Sequence, residues 1–138
     1  MSVILTDTGP LVALIDRKDP NHAVCVETAR RLPAGPLVTT WPCVTEAMYL
    51  LHRTAGHPAQ IALWRLLRDE RLVLHDLDLD DVERMETLMD QYRDRPMDLA
   101  DASIMAAAET LATRHLFSLD SDFRFYRLSD GSTLDIVP

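Results

Sequence analysis

The stretch SVILTDTGPLVALID, residues 2–16, contains the pattern that decides the fold. Residues 2–6 form a short, uncharged, β-rich run, which predicts a buried strand. Asp7 ends that strand, and Thr8 is placed to cap the following helix, GPLVALIDR, which carries Pro10 in its first turn. A buried strand passing directly into a helix is the opening expected of a parallel α/β sheet.

The rest of the chain repeats this alternation of strand and helix. Further strands are predicted in PLVTT (36–40), LVLHDL (72–77), RHLFSLD and TLDIV. Further helices are predicted at residues 20–31, in CVTEAMYLLHRT after Pro42, in AQIALWRLLRDE, at residues 80–94 and at residues 98–113. The alternation predicts an α/β fold with a central parallel sheet of about four or five strands. No repeat or linker divides the 138 residues, so one domain, 1–138, is expected.

Composition excludes several classes of protein. Hydrophobic residues make up 47% of the chain, which supports a compact core and argues against disorder. The N-terminal apolar stretch is interrupted by Asp7 and Gly9 and lacks a basic leader, so neither a signal peptide nor a membrane span is expected. Cys25 and Cys43 form no zinc-binding spacing and no disulfide framework, which predicts a reducing cytoplasm.

The net charge of −8 leaves two interpretations open. Proteins that bind nucleic acid normally present a basic surface, so an acidic excess is unusual for that class. The basic residues are almost all arginine, with Lys18 the only lysine, and arginine suits bidentate recognition of phosphate or carboxylate. The acidic excess is either a solvated surface or is concentrated where a cation or a basic partner binds.

Acidic side chains recur where predicted strands end. Asp7 follows the first strand, and Asp120 and Asp122 follow the fourth in FSLDSDF. Glu46 lies in the first turns of the helix after the second strand, and Asp101 lies in the first turn of the helix before the fourth. Parallel α/β sheets bind ligands beyond the carboxyl ends of their strands, so these residues are expected to converge on one edge.

Carboxylates brought together repel one another unless a proton or a cation lies between them. Hard oxygen ligands suit Mg²⁺ or Mn²⁺, and one or two such ions can activate a water and polarise a phosphodiester. Each position also has a simpler explanation: a turn at Asp7, Asp120 and Asp122, an exposed surface at Glu46, a helix N-cap at Asp98 and a helix-dipole contact at Asp101. Their joint placement at one sheet edge therefore carries the interpretation.

Four motifs resemble, in order, the acidic motifs of the PIN-domain ribonucleases, and above all the VapC-type toxins of bacterial toxin–antitoxin pairs. The motifs are ILTDTGPLVALID, TEAMYLL, DLADASIMAAAE and FSLDSDFRFYR. The resemblance spans nearly the whole chain, from Asp7 to Tyr126. It implies a three-layer α/β/α PIN fold and an endoribonuclease that depends on Mg²⁺ or Mn²⁺ and cleaves RNA with a metal-activated water.

The resemblance also implies roles for individual residues. The implied catalytic acidic residues are Asp7, Glu46, Asp101 and Asp120. The implied metal contacts are Asp7, Asp101, Asp120, Asp122 and, through water, Asp98, which is otherwise expected to be a helix N-cap. Thr8 and Ser118 match small hydroxyl residues that line the same pocket.

The family likeness implies partners as well. It implies a homodimer and a small basic antitoxin whose C-terminal segment lies in a groove and directs an arginine toward the acidic pocket. The acidic net charge suits such an inhibitor, so contacts to RNA would fall on local arginines. The candidates near the pocket motifs are Arg93, Arg95, Arg124 and Arg127.

The large apolar residues outside these motifs are expected in the core. Trp41, Tyr49 and Trp64 are assigned to core packing, with an antitoxin groove or a dimer face as the alternative. Val82, Met85, Leu88 and Met89 form the apolar stripe of the helix at 80–94, and Met85, Met89, Met97 and Met105 are predicted to fill the core.

Two other functions are weighed against the nuclease. A receiver-type or other Mg²⁺-dependent phosphoryl-transfer domain usually needs a late lysine, whereas Lys18 lies in the first helix; the haloacid-dehalogenase pattern needs Asp-x-Asp, whereas Thr8-Gly9 follows Asp7. A PIN fold retained as a non-catalytic protein-binding module is disfavoured by the intact acidic positions. The target RNA, the number of metal ions and the dimer face stay open.

Overall fold

The computed structural model describes residues 3–138; Met1 and Ser2, and with them the first residue of the strand predicted at 2–6, lie outside the described residues. The strands are β1 (Ile4–Thr6), β2 (Leu37–Thr39), β3 (Leu72–Leu74), β4 (His115–Phe117) and β5 (Asp135–Val137). The helices are α1 (Thr8–Ile15), α2 (His22–Arg31), α3 (Trp41–Ala55), α4 (His57–Arg68), α5 (Leu79–Gln91) and α6 (Leu99–Thr110), with a 3₁₀ turn at Ser121–Arg124.

The five strands form one parallel sheet in the order β3-β2-β1-β4-β5. Leu5 of β1 pairs with Val38 on one side and with Leu116 on the other. The chain builds outward from β1 in one direction through β2 and β3, and in the other through β4 and β5. The point of reversal therefore lies between β1 and β4, where open α/β sheets place their ligand sites.

Helices cover both faces of the sheet, so the predicted three-layer α/β/α architecture is confirmed. Successive strand residues point to opposite faces. Leu5 and Leu116 pack in the cluster formed by α5 and α6, whereas Ile4 and Phe117 pack in the cluster formed by α1 and α2. A third cluster joins α1, α3 and α4 to β3 through Leu72.

The start of α1 differs from the prediction, because Thr8 is its first helical residue and Asp7 occupies the N-cap position. The Asp7 side chain makes no capping hydrogen bond, and the Thr8 hydroxyl donates to the carbonyl oxygen of Cys43 at 3.3 Å. The Asp7 and Thr8 side chains contact residues far away in the chain instead of capping the helix. Residue preferences for helix N-cap positions do not predict such contacts. The helix ends at Ile15, two residues before the predicted end at residue 17.

Several predicted core residues are exposed. Trp41, Tyr49 and Trp64 lie on the outer sides of α3 and α4, so their assignment to the core was wrong. In α5, Met85 and Leu88 reach the core while Val82 and Met89 are exposed, so the predicted stripe is narrower than the sequence suggested. Helical spacing places residues on one side of a helix, but packing decides how wide a strip is covered.

The other predicted methionines, Met97 and Met105, are buried. Cys25 and Cys43 are buried free thiols, and burial raises the pKa of each to about 11, so both stay protonated at neutral pH. None of the helices formed by residues 3–138 is long and apolar enough to cross a membrane.

Candidate functional site

The carboxyl ends of β1 and β4 place two polar side chains together. Thr6 pairs with Phe117 in the sheet, so Asp7 and Ser118 leave it side by side. The Asp7 amide donates to the Phe117 carbonyl oxygen at 3.3 Å, and the Ser118 hydroxyl donates to Asp7 Oδ2 at 2.8 Å. The register of two neighbouring parallel strands therefore sets the position of the Asp7 carboxylate.

Ser118 also holds the next acidic residue. Its Oγ accepts a hydrogen bond from the amide of Asp120 at 3.0 Å. Asp120 Oδ1 in turn accepts from the Asp122 amide at 2.9 Å and begins the 3₁₀ turn. One buried hydroxyl thus links Asp7 to Asp120 across two strands that are more than a hundred residues apart in the chain.

The start of α6 presents a third carboxylate. Asp98 is the N-cap, as predicted, and its Oδ1 accepts from the Asp101 amide at 2.8 Å. Asp101 occupies the third helical position, as expected, and its Oδ2 accepts from the Tyr126 hydroxyl at 3.4 Å. The cap and the tyrosine together restrict the direction of the Asp101 side chain.

Asp7 is the most deeply buried of the predicted site carboxylates. Its Oδ1 has no hydrogen-bond partner among residues 3–138. Burial, with smaller contributions from the charges of Asp120 and Glu46, raises its pKa to about 7 in spite of the bond from Ser118. A buried, unpartnered carboxylate oxygen is costly, so this atom is suited to contact a cation or to carry a proton.

The other carboxylates act on one another in the same way. Burial first, and then the charges of Asp98, Asp120 and Asp7, raise the pKa of Asp101 to about 7. Partial burial and the charges of Asp98 and Asp120 raise the pKa of Glu46. These mutual effects show that five of the predicted acidic residues, from four separate segments, lie close enough for the charge of one to change the pKa of another. They are Asp7, Glu46, Asp98, Asp101 and Asp120.

Asp122 lies to the side of this group. Its carboxylate is 3.5 Å from the Arg95 guanidinium, which stacks 4.2 Å from the ring centre of Phe125. The pKa of Tyr126 is raised by burial and then by the charges of Asp101, Asp122 and Asp120. Asp122 therefore pairs with Arg95, and its charge contributes to the raised pKa of Tyr126.

The predicted arginines are exposed around the site and differ in their contacts. The Arg93 guanidinium donates to the Asp90 carbonyl oxygen at 2.9 Å, at the end of its own helix region. Arg95 is held by Asp122. The side chains of Arg124 and Arg127 make no ion pair with residues 3–138, so these two are the freer candidates for phosphate contacts.

The structure also shows polar residues that the sequence analysis missed. The hydroxyls of Thr40 and Ser103 share a hydrogen bond of 2.6 Å, and the Ser103 hydroxyl also contacts the Ala100 carbonyl oxygen at 2.7 Å. With the bond from the Thr8 hydroxyl to the Cys43 carbonyl oxygen, these contacts join α1, α3 and α6 beside the acidic residues. The sequence offered one signal for Thr40 and Ser103, because both are polar residues among apolar neighbours close to the acidic motifs. The edge of the sheet that carries Asp7, Glu46, Asp98, Asp101 and Asp120 is called the acidic edge below.

The chemistry of the site fits a hard divalent cation, although its side chains do not form a closed set of ligands. Within residues 3–138, no three acidic, histidine or cysteine side chains are arranged so that they would hold an ion as they stand. Asp7 offers a buried oxygen without a partner among residues 3–138, and the charges that act on it are those of Asp120 and Glu46. Mg²⁺ is usually bound through one or two carboxylates while it keeps several waters, so a partial set of this kind suits it.

A family model for the PIN domain matches residues 4–129, and the chain belongs to the PIN-domain family. A relative along the full length is Ribonuclease VapC26 of Mycobacterium tuberculosis (strain ATCC 25618 / H37Rv). The two are 27% identical over 139 residues, which covers 98% of this chain and all of the relative. The acidic edge described above thus lies in a fold whose family is now established.

Solved structures share the fold at lower identity. VapC20 of Mycobacterium tuberculosis, described as a sarcin–ricin loop cleaving toxin, superposes with a TM-score of 0.82 at 21% identity, covering 88% of this chain and 93% of that one. VapBC2 of Rickettsia felis, bound to a DNA fragment from its promoter, gives 0.67 at 15% identity and 99% coverage of both chains. A toxin–antitoxin complex from Klebsiella pneumoniae gives 0.65 at 20% identity, covering 87% and 89%.

Proposed function

We propose that this PIN-domain protein is a VapC-type toxin, an endoribonuclease that hydrolyses phosphodiester bonds of RNA. The observation that carries the proposal is the meeting of Asp7, Asp101 and Asp120 at the reversal point of the sheet, where one buried Asp7 oxygen has no hydrogen-bond partner in the described part of the chain. The full-length likeness to a protein named as a ribonuclease supports the same conclusion.

We propose Mg²⁺ or Mn²⁺ as the cofactor. Asp7, Asp101 and Asp120 would hold the ion, Asp98 would reach it through water, and Asp122 would stand at the flank. When bound, the ion polarises the scissile phosphate, lowers the pKa of the attacking water and stabilises the leaving oxygen.

The protein's own residues orient the site. Ser118 holds Asp7 by a hydrogen bond of 2.8 Å, and the Asp98 cap with Tyr126 orients Asp101. Glu46 is exposed at the mouth of the site and has a raised pKa, so it is suited to take up a proton during the reaction.

Water is the proposed nucleophile. The hydroxyls of Thr8 and Ser118 are buried and committed to the contacts described above, and the Cys43 thiol is buried and protonated. Among the described residues, the site therefore contains no exposed, activated side chain that would attack phosphorus.

The proposed partners are RNA, a second copy of the chain and a small basic antitoxin, and the proposed location is the cytoplasm. The net charge of −8 suits a basic inhibitor. The fold similarity to chains from toxin–antitoxin complexes supports a partner of this class. An antitoxin arginine near the Asp7 carboxylate would neutralise part of the repulsion there.

The test compares cleavage of purified cellular RNA by the wild type, Asp7→Asn and Asp101→Asn, with Mg²⁺, with Mn²⁺ and with EDTA. Both variants should lose cleavage while keeping the circular dichroism spectrum of the wild type, and EDTA should stop the wild type. Asp135→Asn, at the exposed first residue of β5 and so at the opposite edge of the sheet, is the control and should cleave normally. Full cleavage by Asp7→Asn would refute the assignment, and full cleavage in EDTA would refute the metal.

A further inference from the structure

Three large aromatic residues of α3 and α4 are exposed, namely Trp41, Tyr49 and Trp64. The rings of Trp41 and Trp64 meet edge to face, with centres 6.4 Å apart and planes at 63°. They are 48% and 45% exposed, and Tyr49, two turns after Trp41 on α3, is 61% exposed. Nearly half of the surface of each tryptophan residue is therefore open to solvent, which is unusual for a residue type that is normally well buried.

An arginine extends the patch along α3. The Arg53 guanidinium lies 5.6 Å from the ring centre of Tyr49, and its Nη1 donates to the tyrosine hydroxyl at 3.4 Å. Trp41, Tyr49, Arg53 and Trp64 together are called the aromatic platform below. It combines ring faces with a positive charge.

The platform begins beside the acidic edge. Trp41 is the first residue of α3 and directly follows Thr40, whose hydroxyl contacts Ser103 at 2.6 Å, two residues beyond Asp101. In the same turn the Cys43 carbonyl oxygen accepts from Thr8, the residue after Asp7. The first turn of α3 thus touches both segments that carry the predicted catalytic aspartates, and the helix leads away from them.

The segment that carries the platform is also basic, unlike the chain as a whole. Residues 41–68 contain three arginines, Arg53, Arg65 and Arg68, against the single acidic residue Glu46, a net charge of +2 in a chain of −8. None of the three arginines forms an ion pair with a carboxylate of residues 3–138. The acidic edge repels phosphates, so a substrate needs a basic surface close to it.

We propose that the aromatic platform binds single-stranded RNA by stacking its bases, and so delivers the strand to the acidic edge. The proposal rests on the proposed ribonuclease function. Aromatic rings beside unpaired arginines are the combination by which proteins bind single strands with little sequence preference. A two-fold contact between copies would set these arginines against one another, whereas phosphates attract them. The charge of the segment and its continuity with the acidic edge therefore favour RNA.

The two platform tryptophans are the only tryptophans of the chain, so tryptophan fluorescence, excited at a wavelength that tyrosine does not absorb, reports on the platform alone. A mixed-sequence single-stranded RNA of about 12 nucleotides, within the site sizes known for such surfaces, is titrated into Asp7→Asn, which binds without cleaving. Saturable quenching of the tryptophan emission is expected, and a duplex of the same sequence should bind less tightly. No change in the emission at RNA concentrations that bind by an independent assay would overturn the proposal.

Variants then separate stacking from charge. Trp41→Leu and Trp64→Leu should each weaken binding by about 5- to 100-fold, the range measured for loss of one stacked base. Arg53→Gln should lower the slope of log affinity against log salt by about 0.7, the value for one phosphate contact on a single strand. The controls are Leu79→Ala, exposed on α5, and Arg31→Gln, exposed on α2; both should bind like the parent.

Cleavage and mass are measured in the same series so that the outcomes stay distinct. In the cleaving parent, Trp41→Leu should raise KM with little change in kcat. Normal RNA binding and cleavage in both tryptophan variants would overturn the proposal that the platform binds RNA, and would leave the proposed ribonuclease activity unaffected. Conversion of a dimer to a monomer by these substitutions, with RNA binding retained, would assign the patch to self-association and overturn the proposal.

Discussion

Replacement of Asp7 by asparagine should stabilise the metal-free protein at alkaline pH, although it should abolish cleavage. The carboxylate is buried and one of its oxygens has no partner among residues 3–138, so its charge opposes folding. Asparagine has a similar shape and carries no charge. Its amide oxygen can still accept from Ser118, and the substitution removes the repulsion from Asp120 and Glu46, whose charges raise the pKa of Asp7.

The size and the sign of the effect follow from the pKa. Burial raises the pKa of Asp7 from 3.8 to about 7, so the folded protein holds a proton there that the unfolded chain has lost. The free energy of unfolding of the wild type therefore falls progressively as pH rises from about 4 through about 7, and the full loss is reached above that. About three pKa units correspond to about 4 kcal/mol of unfolding free energy, or a melting shift near 10 °C for a chain of this size.

The assay is thermal unfolding followed by circular dichroism, in EDTA at pH 5 and at pH 8. At pH 5 the variant should melt only a few degrees above the wild type, because the unfolded Asp7, with its ordinary pKa of 3.8, is already ionised there and roughly 1.5–2 kcal/mol of the loss is present. At pH 8 the variant should melt several degrees higher. Adding Mg²⁺ at pH 8 should stabilise the wild type and leave the variant nearly unchanged, since the proposed ion offsets the same repulsion.

Asp135→Asn, exposed at the start of β5 and at the opposite edge of the sheet, serves as the control and should show no pH-dependent difference from the wild type. A lower melting temperature for Asp7→Asn than for the wild type at pH 8 in EDTA would refute the reasoning. So would a difference between the two proteins that is the same at both pH values, because a difference caused by ionisation of Asp7 depends on pH.

Three further perturbations test other parts of the structure. Tyr126→Phe removes the hydroxyl that donates to Asp101 at 3.4 Å and should lower kcat/KM about 5-fold with the fold intact; unchanged kinetics would show that the contact is incidental. Burial alone would raise the pKa of Asp81, but its hydrogen bonds outweigh burial and lower the pKa. One of these bonds comes from His75 at 3.0 Å. Asp81→Asn should therefore cost about 2 kcal/mol in urea unfolding at pH 7, and this loss should fade as pH falls below about 4; equal stability at pH 7 would contradict it. Gly56 joins α3 to α4 at φ 78°, so Gly56→Ala should cost about 1–3 kcal/mol in the same assay, and a neutral result would mean that the turn relaxes.

The local elements could be read from the sequence because their signals are local. The uncharged run before Asp7 became β1, and the helix predicted from residue 98 became α6 with Asp98 as its cap. The alternation of such elements led to a parallel α/β sheet, and the spacing of acidic residues after strands led to one edge. The family likeness added the three layers, which periodicity alone does not specify.

Side-chain direction and burial were decided by the tertiary structure. Ser118 bridges Asp7 and Asp120 only because β1 and β4 are neighbours in the sheet, and strand order depends on packing of the whole chain. Asp122 differs from Asp120 by two positions, yet it pairs with Arg95 from a distant segment.

The exposed tryptophans show the same division. An indole is apolar, so the sequence favours burial for Trp41 and Trp64, but α3 and α4 fill their inner sides with smaller residues such as Ala47 and Leu63. The sequence by itself determined which elements form and which of them carry carboxylates, because both follow from short-range chemistry. Only the tertiary structure decided which carboxylates share a field and which aromatic rings remain open, because these depend on contacts between residues far apart in the chain.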